Sequence, residues 1–329
     1  MITLWYISNN NPEPFLKNFI TYFKDFIKTD FSLKTYGTVF IFISAFILLN
    51  YSIDLENELI DKQNNSLLRY SYYLLLYSTA YYGTLAIYYF TTKVNYFLKK
   101  ELLIKSFIAL ALISFDSSFI LSTDVLTTNV SFTIIEATFL KKIIHQLFPI
   151  LLYIIGFLVV YYTFDFQSKK FYGLSKHNFY WKPYLILFLC IFPLIVSASF
   201  QEAFTNQYPF YKYWNVETVF GLTQKQQFII YEFFYLFNFI NIELLFRGLL
   251  ILGMVKFMGQ KAVLPMIVTY AFLHFGKPPL ETISSVFGGY ILGIIAFRTE
   301  TIVGGILIHI GIAFLMDLCA ILQRHNAFF

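Results

Sequence analysis

"QFIIYEFFYLFNFINIELLFRGLL", residues 227–250, is where the fold of this chain is decided. The run is long enough to cross a hydrocarbon core of about 30 Å, which takes roughly 20 apolar residues. Near its end, "NIELLFRG" (241–248) sets Glu243 and Arg247 four residues apart among Phe239, Ile240, Leu244, Leu245 and Phe246. Residues four apart share a helix face, and Glu on the N-terminal side is the better order for an ion pair. Two charges in such surroundings either close a structural salt bridge or belong to a site. Which of these holds depends first on the solvent that the helix meets.

Composition answers that question. The chain is 58% hydrophobic, 21% aromatic and only 13% charged, with a mean hydropathy of +0.63. A soluble domain carries roughly twice that share of charge. Apolar runs of membrane-crossing length recur along the sequence, so the expected class is all-α, a polytopic transmembrane helical bundle. The start, "MITLWYISNNNPEPF", lacks the basic, apolar and small-residue succession of a cleaved signal peptide. Its first span is expected to act as a retained anchor. Cys190 and Cys319 lie in apolar segments without metal-ligand spacing and read as free thiols. The net charge of +5 sits in short loops, where Lys and Arg set membrane orientation, so nucleic acid is not an expected partner.

Counting apolar runs between charge clusters predicts about nine spans. They fall near 36–53, 70–92, 102–122, 144–164, 183–200, 227–250, 262–276, 280–297 and 301–322. The third contains Asp116, and the seventh and eighth are short and separated by "GKPP". Lys17, Lys24, Lys28 and Lys34 precede the first span, an acidic loop (Asp54, Glu56, Glu58, Asp61) follows it, and basic loops recur after even-numbered spans. The N-terminus is therefore expected in the cytoplasm, in the cell's inner or plasma membrane. The expected organisation is a cytoplasmic segment 1–35, a four-helix membrane region 36–165, a basic loop 166–182 and a core 183–323. Nearly all polar residues at membrane depth fall in that last part: Asn238, Asn241, Glu243, Arg247, His274, Glu281, His309 and Asp317. Ionisable groups in spanning helices are costly and mark function by default. No internal repeat of the inverted-transporter kind is visible.

His274 ends "YAFLH", with Tyr270 one turn earlier on the same face, and Gly276, Pro278 and Pro279 break the helix behind it. His309 sits in "GGILIHIGIAFLMD", bracketed by Gly304, Gly305 and Gly311, small residues that let helices approach closely in lipid. Taken singly, each residue reads as well as a satisfied polar group as a catalyst. Together, Glu243, His274 and His309 from three helices can line one water-accessible pocket. Such a trio could hold zinc with an open fourth position. It could equally work without metal, Glu activating water while His polarises a carbonyl. There is no HExxH, GxSxG, Walker loop or Rossmann glycine pattern, which removes the common zinc-protease, serine-hydrolase, ATPase and dehydrogenase readings.

Three segments in order resemble the motifs of the CPBP family, also called ABI, which comprises type II CAAX prenyl proteases and bacteriocin-processing enzymes. Its motifs are EExxxR, an aromatic followed three residues later by His, and HxxxN or HxxxD. Here they read "IELLFRG" (242–248), "YAFLH" (270–274) and "HIGIA" (309–313), and the resemblance spans roughly 183–323. It implies an intramembrane endopeptidase acting on prenylated tails, leader peptides or other membrane-associated peptides, with lipid as its surroundings. Glu243 and His274 would activate water and His309 would stabilise the oxyanion, with Arg247 and Tyr270 in support. The family is often described as metalloproteases, which leaves zinc on these three residues as an open expectation. Two positions depart from the pattern. Ile242 stands where the family places its water-activating Glu, and Ala313 replaces the Asn of the third motif. Loss of one oxyanion donor typically costs about 10²–10³ in rate. Glu281, seven residues past His274, is the nearest spare carboxylate in sequence. A catalytically impaired scaffold, immunity or export factor is the alternative, and a solute transporter the second.

Overall fold

A computed structural model describes residues 14–326 except 131, 169–170 and 178. Among those residues the chain is all-α, a polytopic helical bundle with one isolated bridge between Val219 and Leu222. The helices are α1 (Pro14–Asp30), α2 (Leu33–Ile53), α3 (Ser66–Thr92), α4 (Lys100–Ser118), α5 (Thr123–Val130), α6 (Ile134–Val160) and α7 (Trp181–Ala198). They continue with α8 (Glu202–Gln207), α9 (Gln224–Glu243), α10 (Val255–Met258), α11 (Val263–Phe272), α12 (Pro279–Thr299) and α13 (Val303–Asn326).

Every expected span overlaps a helix, but among the described residues six helical stretches are long and apolar enough to cross a membrane. They are Leu33–Ile53, Ile134–Ser168, Trp181–Ala198, Gln224–Phe272, Pro279–Thr299 and Val303–Arg324. The expected count of nine differs because α3 is diluted by tyrosine and α4 carries Lys100, Glu101, Lys105 and Asp116. The expected seventh span is α11, only 10 residues, or about 15 Å of helix, half a hydrocarbon core. The lipid-facing character of the bundle is visible in its surface: Phe40 is 72% exposed, Leu48 71%, Leu194 68% and Phe287 66%. Apolar exposure on that scale fits lipid and not water.

All ten residues of α11 are buried, with α3 on one side and α12 on the other. Its run of Val, Leu, Met, Ile and Ala with no charge makes a helix that is apolar all round, which belongs inside a bundle. A single core joins both halves of the chain. Tyr77, Tyr81 and Leu85 of α3 and Leu110 of α4 belong to the same cluster as Phe246, Leu249, Met266 and Phe272. The remaining helices pack as α13 on α7 and α9, and α6 on α9. Asn238 ties the last of these pairs, its Nδ2 donating to the Gln146 carbonyl at 2.8 Å and the Gln146 Oε1 at 3.0 Å. Cys190 and Cys319, expected as buried free thiols, are both free, but only Cys319 is buried and Cys190 is exposed.

Candidate active site

The stretch read first, 227–250, begins as a regular helix. Thr223 caps α9 through a reciprocal pair with Gln226, which satisfies the first free N–H groups. At Glu243 the regular helix ends, and Leu244–Leu249 continue as a π-helical turn. Such turns occur preferentially at functional sites. Glu243 and Arg247 are both buried, at 0% and 1% exposure, and Arg247 Nη1 donates to Glu243 Oε1 at 2.9 Å. Buried charges are stable only when paired in this way. The guanidinium also lies 4.6 Å from the Tyr270 ring centroid, a cation–π contact in a dry setting.

His309 reaches this pair from α13. Its Nδ1 donates to the same Glu243 Oε1 at 2.7 Å, because a carboxylate can only accept. A neutral ring then has Nε2 as an acceptor, and the Tyr270 hydroxyl donates to it at 2.7 Å. Arg247, Glu243, His309 and Tyr270 thus form one chain of hydrogen bonds across α9, α13 and α11. The approach of α13 depends on its glycines. A Cβ on Gly305 would stand 2.3 Å from Glu243 Oε2, and one on Gly304 would stand 1.9 Å from the Tyr184 ring.

His274 lies just beyond α11, in the turn after Leu273. Its Nδ1 donates to the Tyr270 carbonyl at 2.8 Å, and its ring meets the Tyr270 ring at a centroid distance of 4.6 Å. Nε2 has no partner among the described residues. Tyr270 therefore stands between the two histidines, hydroxyl to one and ring to the other. Glu281 is engaged elsewhere: both its oxygens accept from the Tyr208 hydroxyl at 2.9 Å.

Zinc does not fit the trio in this arrangement. Both His309 nitrogens are committed, one to Glu243 and one to Tyr270. Tyr270 separates His309 from His274, and among the described residues no group of three or more His, Cys, Asp and Glu is placed to hold a metal. Glu243 Oε1 already has two donors, while Oε2 is buried without a partner beside Gly305.

Several site residues escape a reading of the C-terminal half alone. A cavity of about 460 Å³ opens beside the hydrogen-bonded chain, lined by Asp116, His145, Tyr153, Asn238, Ile242 and Lys277 among others. Its walls come from α4 and α6 as well as α9. Asp116, anomalous in its span, accepts from the Tyr153 hydroxyl at 3.0 Å at the cavity wall. Ile242 thus faces open space, and Phe239, also in the lining, stacks near His309 at 5.1 Å. The Lys277 ammonium rests 4.0 Å from the Phe210 ring centroid. Ala313 is buried at 3% exposure. The signal for Asp116 was its charge inside an apolar run; nothing local marked His145 or Lys277.

Residues 224–315 match the family described as type II CAAX prenyl endopeptidase Rce1-like. The matched stretch runs from the start of α9 into α13 and contains Glu243, Arg247, Tyr270, His274 and His309. Neither a curated protein nor a solved structure matches the chain.

Proposed function

From the premise that this integral membrane protein carries, over residues 224–315, a CPBP-family intramembrane protease segment, we propose that it hydrolyses a peptide bond in a membrane-associated or prenylated peptide. The observation that carries the reading is the unpartnered Nε2 of His274 beside a fully connected Glu243–His309–Tyr270 chain. In this reading His274 takes a proton from the attacking water, the ordinary task of a histidine base. The Tyr270 hydroxyl, turned from His309 Nε2 toward the substrate, supplies a hydrogen bond to the carbonyl oxygen as negative charge develops there, and His309 acts by holding that hydroxyl in place. Glu243, held by Arg247, fixes the ring of His309 and keeps Nδ1 protonated, so that Nε2 faces Tyr270. It is a positioning carboxylate here, because it is wholly buried and its accepting oxygen is already shared by two donors.

The cavity at Ile242 is the place for the peptide. It is large enough for several side chains, it is walled by aromatic rings and amides, and it borders α9 next to Glu243. The basic loops support a cytoplasmic N-terminus.

The test is cleavage of an internally quenched, farnesylated peptide with a CAAX-type end by the purified full chain in nanodiscs. His274→Gln is expected to lower kcat by about 10²–10⁴, the usual share of a general base. A protein that leaves the probe intact, and whose biological role survives His274→Gln, is instead a scaffold, immunity or export factor. Ile242 and Ala313, both apolar where the family motif is polar, are the residues that favour this second reading.

A further inference from the structure

The link between α11 and α12, "LHFGKP" (273–278), carries His274 in a run of turns outside regular helix, with the N–H groups of Leu273, His274, Phe275 and Lys277 donating to nearby backbone carbonyls. A glycine and a proline loosen it, since Gly is conformationally free and Pro has no N–H to donate. Side chains hold three of its peptide groups, 274–275, 275–276 and 277–278. Thr282 Oγ1 donates to the His274 carbonyl. Asn50 Nδ2, at the end of α2 and fully buried, donates to the Phe275 carbonyl at 2.9 Å. The Glu56 carboxyl rests against the Gly276 backbone. Tyr51 Oη donates to the Lys277 carbonyl at 2.7 Å and lies 2.6 Å from Thr282 Oγ1.

The three holders from outside the matched segment form a unit. Asn50 Oδ1 accepts from the Glu56 backbone N–H at 3.2 Å, so one amide braces both the link and the turn Leu55–Ile60 that presents Glu56. Tyr73 of α3 donates to Glu56 Oε1 at 3.2 Å and to Asp61 at 2.6 Å, fixing the carboxyl from behind. A Cβ on Gly276 would stand 3.0 Å from Glu56 Oε1, so the close approach needs the glycine. The ring of His274, by contrast, has one hydrogen bond, to its own helix. Its direction is therefore set by the backbone of the link.

We infer that Asn50, Tyr51 and Glu56 are positioning residues for His274, so that α2 and the turn after it act as a clamp on the catalytic link. The inference rests on the proposed role of His274 as base. A misplacement of about 1 Å in a reacting group costs on the order of 10²-fold in rate, and a clamp of this kind prevents it.

The experiment uses the full chain in nanodiscs, the quenched farnesylated peptide as probe, and hydrogen–deuterium exchange of the same samples. Asn50→Ala and Glu56→Ala are expected to lower kcat by about 10²-fold with KM unchanged. Exchange should rise at 275–277 while α7 and α13 stay as protected as in the wild type. Glu56→Gln, whose amide keeps the shape that rests against Gly276, should restore kcat and protection. Gly276→Ala, which pushes the carboxyl away from the other side, should reproduce the Glu56→Ala phenotype without touching α2. Unchanged exchange at 275–277 in both alanine variants overturns the clamp, and so does faster exchange there with wild-type kcat. If the wild type itself leaves the probe uncut, the protease reading fails by itself. The exchange arm then still decides whether these side chains hold the link.

Discussion

Arg247 and Glu243 are members of one buried ion pair, and removing either strands the charge of the other. Arg247→Ala leaves a buried carboxylate without its counter-charge and is expected to cost about 3–5 kcal/mol of stability. Glu243→Gln keeps the shape and one acceptor for His309 but leaves the Arg247 guanidinium buried without its counter-charge, a loss of the same order. Thermal unfolding in detergent measures both, and wild-type stability in either variant would contradict this account. Ile242 allows a test in the gaining direction. Its side chain faces the 460 Å³ cavity that Lys277 also lines, so a carboxylate there meets space and a cation. Ile242→Glu is expected to fold and to raise the cleavage rate by about 10²-fold or more, the usual share of a general base. A variant that folds but gains nothing would assign base work to His274 alone. Glu243 and Arg247 are legible as a pair from i,i+4 spacing, and His274 and His309 as polar residues at membrane depth whose motifs resemble those of a known family. That Tyr270 stands between the histidines was not, because the contact joins residues 39 apart.

At the scale of elements, the packing of α13 against α7 and α9 is governed by its paired glycines. Gly304 faces Tyr184 of α7, and a Cβ there would overlap the ring at 1.9 Å. Gly304→Ala is therefore expected to push the helices apart at a cost of about 1–3 kcal/mol, the usual penalty of overpacking. Adding Tyr184→Leu should recover most of it, which a double-mutant cycle in SDS unfolding would measure; additivity of the two effects would deny the contact. The glycine cluster was visible in the sequence as a close-approach signal, but not which helix it admits. Of the nine expected spans, that at α11 covers only 10 helical residues and shares the stretch Gln224–Phe272 with α9, and that at α4 carries four charged groups. Hydropathy reports what surrounds a residue, and a core of packed helices is as apolar as lipid.

At the scale of the whole molecule, the acidic turn between α2 and α3 is part of the structure and does not merely face solvent. Burial, reinforced by Asp61 nearby, pushes the Glu56 carboxyl up from its ordinary 4.5 to about 8. Between those values the unfolded chain gives up its proton while the folded chain keeps it. Glu56 therefore stabilises the fold fully below about pH 4.5, loses that contribution as pH rises, and reaches a plateau above about pH 8. Thermal unfolding at pH 5, 6.5 and 8 should show this downward slope in the wild type and a flatter profile in Glu56→Gln. A slope that persists in the Gln variant would assign it to another group.

Class, helix content and the catalytic candidates follow from the sequence alone, because all three are local. Hydropathy is counted in windows, charge spacing in turns of one helix, and motifs in a few residues. The association of the two halves is not local. Only the folded chain sets Asn50, Tyr51 and Glu56 against the backbone of 274–277, more than 200 positions away, and brings Asp116 and His145 to the wall of the cavity at Ile242. Such contacts depend on which helix faces which. Hydrogen bonds and close glycine contacts decide that in three dimensions, because apolar side chains gain little from choosing one helix over another in lipid.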